Sequence, residues 1–187
     1  MMYLLESVKF CHRTTHGLSV DFCVLNVLGY ICYTTYCVNF YFNEEVINEY
    51  KNRMSSSAQV TVQGNDVAFA IHAVIMASFT LLQIGMYDSF VVRPPSNRVY
   101  VVLALVFMYC ALNVGGTWLV KGEVDFLGFL YLLGTIKIGV TIGKYVPQTL
   151  LNHSRKSTVG WNVQNVILDL TGGILSLIQL IGGTCLS

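Results

Sequence analysis

The chain has 187 residues, 54% hydrophobic and 11% charged, with a formal net charge of +1 and a mean hydropathy of +0.59. A soluble domain needs roughly 25% charged residues to cover its surface, so a water-soluble globular protein is excluded. A charge balance this close to neutral also gives no footprint for nucleic acid. The composition fits an all-α integral membrane protein. Five apolar stretches, at 18–42, 67–86, 99–120, 126–146 and 161–186, are each long enough to cross roughly 30 Å of hydrocarbon.

The segments between them alternate in charge. Residues 6–16 set Lys9 and Arg13 against Glu6, and 43–66 sets four acidic residues against Lys51 and Arg53. Residues 87–98 carry Arg93 and Arg98 against Asp88, 121–125 carry Lys121 against Glu123 and Asp125, and 149–159 carry Arg155 and Lys156 unopposed. The net charges run +1, −2, +1, −1 and +2. The more basic segments are held in the cytosol, which places the N-terminal segment, 87–98 and 149–159 there. Segment 43–66, with its serine run, reads as a flexible loop that ends with Asn65 or Asp66 capping the next helix.

The opening "MMYLLESVKF" lacks a charged lead before an apolar core, so it does not read as a signal peptide. "TCLS" places Cys185 one position too late for a prenylation box. The six cysteines show no metal-ligand spacing, and those inside the spans read as small packing residues. His12 and His16 have helical spacing with no third ligand, so no metal site is expected. No nucleophile–base pair and no phosphate-cradling loop appears, and neither an enzyme nor a cofactor is expected. A weak internal repeat sets 14–30 over 157–173 at an offset of 143, so that Gly17, Leu25 and Gly29 fall on Gly160, Leu168 and Gly172, and Asn26 falls on Asp169. Parallel repeats of this kind occur in secondary transporters, with the solute held near the midplane.

Polar residues inside apolar spans are the candidates for function, because each is costly there unless it is paired, solvated or protonated. Asp169 lies about nine residues into the last span, with Asn165 one turn earlier on the same face. Desolvation favours the protonated carboxyl, which suits either a proton-coupling group or a structural aspartate bonded to a neighbouring helix. Lys137 and Lys144 lie seven residues apart in the preceding span and share a face; with Asp169 they suit a zwitterionic solute. Lys144 reads alternatively as a lysine snorkelling to the interface. Pro147 removes the hydrogen bond to the carbonyl of Gly143, so this pair reads as a hinge or as the end of the helix. In the first span Asn26 is deep and Asp21 lies at the edge, where it carries function or merely caps. His72 relays protons or packs as a hydrogen-bonded histidine. Asn152 opens a formal glycosylation sequon on the side assigned to the cytosol, where it stays unused.

Three passages carry a family resemblance. "KYVPQTLLNHSRKSTVGWNVQNVILDLTGG" resembles the second PQ-loop motif of cystinosins, "HGLSVDFCVLNVLGYICYTTY" the segment after their first, and "NDVAFAIHAVIMASFTLLQ" their third helix. The resemblance implies a PQ-loop transporter, a proton-coupled exporter of L-cystine from lysosomes or another acidic organelle. It assigns proton coupling to the position of Asp169, a place along the transport path to Asn165, Lys137 and Lys144, and a hinge to Pro147 and Gln148. The expected partners are L-cystine, protons and the lipid bilayer, with other membrane proteins left open. The family has seven helices; this sequence accounts for about five, as a single membrane domain over 1–187. Residues 1–86 would be the remnant of a first three-helix bundle with a luminal loop at 43–66, 99–120 a linker helix, and 126–187 the remnant of the second bundle. The chain is therefore expected to be part of a longer transporter. A PQ-loop carrier of another small solute, or a non-transporting receptor or scaffold, is the alternative.

Overall fold

The computed structural model describes residues 19–54, 60–87, 94–122 and 124–158, with Ile167, Leu170, Thr171 and Ile174. The regular structure among the described residues is all helix: α1 (Val20–Phe42), α2 (Glu44–Met54), α3 (Gly64–Tyr87), α4 (Asn97–Lys121), α5 (Phe126–Gly143) and α6 (Tyr145–Arg155). α1, α3 and α4 are each long and apolar enough to cross a membrane, as is the run of α5 and α6 over Phe126–Arg155. The fifth expected span, 161–186, falls outside the described residues apart from those four positions.

Local chemistry sets the boundaries. The Ser19 hydroxyl accepts the N–H of Phe22 at 3.4 Å and starts α1. Asn43 ends α1 and starts α2: its N–H returns to the Asn39 carbonyl, while its Oδ1 accepts the N–H of Glu45 at 3.0 Å. α4 stops at Gly122, whose φ of 74° is left-handed backbone that glycine adopts without strain. Asp125 caps α5 by accepting the N–H of Gly128 at 2.8 Å.

Three boundaries differ from the sequence reading. Segment 43–66 is not simply a loop, because 44–54 forms α2. The sequence "EEVINEYKNRM" supplies an Asn cap, two acids in the first turn, two bases in the last and one buried anchor, Val46. α3 begins at Gly64, before either proposed cap. Gln63 takes the cap position, its carbonyl accepting the Asp66 N–H, and Asp66 reaches back from inside the first turn to the Gln63 N–H at 2.8 Å. The fourth span, expected to end at 146, continues as α6 to Arg155, so most of 149–159 is helix rather than connection.

α1 is the central helix, packed along α3 on one side and α5 on the other. The main core joins Leu25, Cys32 and Phe40 of α1 to Leu127, Leu130, Leu133 and Val140 of α5, and Val46 of α2 closes one end. The contact is close: a Cβ on Gly29 would sit 3.3 Å from Val140. α3 lies against α1 through Ala70 and Ala73, and Thr34 donates to the Ala70 carbonyl at 3.0 Å. Small residues with an occasional hydroxyl bond are how helices pack where lipid removes the hydrophobic drive between them. Cys23, Cys32 and Cys37 are buried packing residues, as expected. α4 is mostly exposed and turns Tyr100, Phe107, Leu112 and Leu119 outward, a surface suited to lipid.

Candidate functional site

The junction of α5 and α6 faces the first half of α1, and several singled-out residues meet there. Lys144 stands between the two helices, only 5% exposed, and its ammonium donates to the side-chain oxygen of Asn26 at 2.9 Å. The same ammonium lies 5.6 Å from the ring centre of Phe22, 5.7 Å from Tyr30 and 5.0 Å from Tyr145. One amide oxygen and three aromatic faces thus surround a cation that no longer has bulk water, an arrangement that offsets part of its desolvation. One turn-pair earlier on α5, the ammonium of Lys137 lies 4.9 Å from the ring centre of Tyr33.

Phe22, Asn26, Tyr30 and Tyr33 are spaced four, four and three residues apart, so they form one stripe along α1. Both lysines point at this stripe. Asn26 stands out in the sequence and the aromatics do not, although their spacing is visible; aromatic residues in an apolar helix are ordinarily packing, and only the lysines opposite give them a polar task.

A second junction lies beside the first. Gln148 is fully buried; its side-chain oxygen accepts the backbone N–H of Ser19 at 2.9 Å, and its Nε2 donates to the Oδ1 of Asn152 at 3.0 Å. The Pro–Gln pair therefore caps the start of α1 from the start of α6. Asn152, read as an idle sequon residue, is the outer member of this chain of bonds. Pro147 lies in the first turn of α6, directly after the interruption at Lys144, and has no N–H to return to Gly143.

Asp21 is turned elsewhere: its carboxylate accepts the N–H of Ser96 at 2.7 Å, at the start of α4, where it fixes the approach of α4 to α1. His72 is exposed on α3. Asp169 and Asn165 lie outside the described residues.

At the opposite end, α2 is clasped to α5. Both guanidinium nitrogens of Arg53 bond the Asp125 carboxylate, at 3.0 and 2.9 Å, while Glu49 takes a further bond from the same guanidinium. The bond to Asp125 pushes the Arg53 pKa further up, with smaller help from Glu49.

The PQ loop repeat model matches residues 10–46 and 129–184. The repeated segments 14–30 and 157–173 each fall within one of these stretches. The chain is 36% identical over 174 residues to cystinosin of Drosophila melanogaster, covering 92% of this chain and 43% of that protein. It is 32% identical over 174 residues to a cystinosin homolog of Arabidopsis thaliana (93% and 63%), and 28% identical over 187 residues to the cystine transporter of Saccharomyces cerevisiae (91% and 68%). The chain thus spans about 43–63% of the length of the first two of these relatives. With the paired repeats, the Pro–Gln at 147–148 and an all-helical membrane fold, the chain belongs to the PQ-loop family.

Proposed function

We propose that the chain forms part of a carrier that exports L-cystine from an acidic organelle, the lysosome above all, to the cytosol in symport with protons. The observation that carries this reading is the buried Lys144, held by Asn26 among three aromatic rings on a helix that also directs Lys137 at α1. Its similarity to proteins named cystinosin and cystine transporter supports the choice of solute. Cystine carries two carboxylates and two ammonium groups. Lys144 and Lys137 supply the cations for its carboxylates, and Asn26 with Asn165 supplies neutral hydrogen bonds.

Asp169 is the proton-coupling group in this reading. Ionised, it holds a charge that is costly at the membrane midplane; protonated from the acidic side, it loses that charge and carries its proton with the solute. Pro147 and Gln148, with Gly143, form the hinge about which the second bundle (126–187) rocks against the first (1–86), with 99–120 as the linker between them. The chemistry required is binding and relocation, with no covalent step.

The test is uptake of labelled cystine across an imposed pH gradient in whole cells, comparing the chain with its Asp169→Asn variant and with a transcript extended at both ends. Proton-driven uptake that disappears in the variant, in whichever form transports, supports the proposal. Uptake that persists in an inserted Asp169→Asn protein removes Asp169 from proton coupling. Uptake of a sugar or another amino acid in preference to cystine would move the assignment to a different solute.

A further inference from the structure

We propose that a cavity between α1, α4, α5 and α6, separate from the lysine site, holds one acyl chain of an anionic phospholipid, with the lipid phosphate at Arg98 and His153. The cavity has a volume of about 910 Å³, near the upper end of the ~300–1,000 Å³ usual for small-molecule sites. Its walls are apolar, formed by Leu25, Val102, Val106, Ile136, Val140 and Leu150. Neither lysine of the candidate solute site lines it, nor does Asn26. A solute with four charged groups has no partners along such walls, and leaving its charges there unpaired is prohibitive. A hydrocarbon chain has that complementarity.

The floor is bare backbone. Among the described residues a Cβ built on Gly139 or Gly143 meets nothing within 4 Å, so the α5 wall is an open trough there. Large apolar side chains beside it, Leu105 of α4, Ile142 of α5 and Val146 of α6, are exposed, so the trough borders surface suited to lipid.

The polar groups collect at one end. Arg98, in the first turn of α4, and His153 and Ser154, in the last turn of α6, all line the cavity there. The acid at this end, Asp21, is already engaged by the Ser96 N–H at 2.7 Å. The Ser96 hydroxyl caps nothing and is buried with no partner among the described residues, an unspent donor at the same place. A guanidinium, an imidazole and a free hydroxyl above an apolar slot match a phosphate above its acyl chain. The charge pattern assigns this side to the cytosol, whose leaflet carries the anionic lipids, and basic pockets between helices on that side recognise such headgroups.

The experiment places the full chain in phosphatidylcholine nanodiscs with a trace of phosphatidylserine bearing a photoactivatable group on its acyl chain. A matched set carries the same group on phosphatidylcholine, and labelled residues are mapped by mass spectrometry. Labelling of cavity walls such as Val102, Ile136 and Leu150 should be about fivefold higher with phosphatidylserine, the preference one basic residue confers near an anionic surface. Arg98→Gln, on an exposed side chain, should erase that preference, and Gly139→Leu, into space left open by the described residues, should suppress wall labelling with either lipid. Equal labelling by the two lipids, labels confined to the outer face of α4, or indifference to Gly139→Leu overturns the proposal. So does a crosslink from Leu150 to another protein segment, which would make a helix the occupant.

Discussion

The side-chain oxygen of Gln148 accepts the backbone N–H of Ser19 across 129 residues of sequence, a buried bond between the two stretches that match the PQ loop repeat. Gln148 is fully buried, so its loss is not made good by water. Gln148→Ala strands the Ser19 N–H and leaves a cavity, and an unsatisfied buried donor costs about 1–3 kcal/mol. Gln148→Glu keeps the acceptor but places a carboxyl where there is no exposure, so its ionised form is costly. Thermal unfolding in detergent should therefore show a drop of several degrees for Gln148→Ala, and for Gln148→Glu a drop that grows as pH rises and the carboxyl is driven to ionise. Equal midpoints for wild type and Gln148→Ala would mean that the bond does not hold the halves together.

Lys144 and Asn26 make a different kind of prediction. Removing one partner of a buried polar pair costs more than replacing both, because the survivor keeps its desolvation penalty. Asn26→Leu should destabilise the protein by about 1–3 kcal/mol, and adding Lys144→Met should recover part of that loss. A double-mutant cycle on unfolding midpoints is the measurement. Simple additivity would show that the ammonium draws its support elsewhere.

Much of the architecture was legible in the residues. Four of the five expected spans are described helices, because runs of apolar residues that long have few alternatives. α2 was not recognised: its serine-rich continuation and mixed charge resemble a loop, and the Asn43 cap that organises it is a local signal outweighed by composition. The extension through α6 was hidden by polarity, since residues 149–155 look like a connection although their hydrogen bonds are helical. At the site, Lys144 and Asn26 stood out as polar residues inside apolar spans, and the family resemblance added Gln148. The sequence did not reveal that Lys144 pairs with Asn26, or that Gln148 caps Ser19, because those relations cross more than a hundred residues and depend on how α5 and α6 dock on α1.

The clasp between Arg53 and Asp125 separates two roles of one carboxylate. Asp125 holds Arg53 and also caps α5 through Gly128. Asparagine still caps but carries no charge, so Asp125→Asn and Arg53→Gln should both release α2 with a cost near the ~0.2–1 kcal/mol of an exposed ion pair. Asp125→Ala should cost about 1 kcal/mol more, because it removes the cap as well. Amide exchange across Glu44–Met54 should quicken in all three. In roughly 1 M salt, where screening reaches about 3 Å, the wild type should approach Arg53→Gln. The raised Arg53 pKa sets the sign with pH: a base with a raised folded pKa contributes below that value and loses its contribution only as pH rises through it. The arginine therefore stays charged throughout the acidic and neutral range. No change in α2 exchange on Arg53→Gln would show that Val46 and the Asn43 cap suffice to hold the helix.

Pro147→Ala tests whether the junction of α5 and α6 works as a hinge. Alanine supplies the N–H that proline lacks, and the carbonyl of Gly143 is the natural acceptor. Lys144, with φ −63° and ψ −28°, already has helical backbone, so the variant needs little rearrangement to make one continuous helix. A new hydrogen bond contributes about 0.5–1.5 kcal/mol, while the lost proline restores roughly 0.4–1 kcal/mol of entropy to the unfolded chain. The two nearly cancel, so the unfolding midpoint should move little. Local behaviour should change more: amide exchange over 144–151 should slow as the helix closes. In a transporting form of the protein, cystine flux should fall although insertion and stability are preserved. Slower exchange with undiminished flux would assign Pro147 to the shape of the helix rather than to its movement.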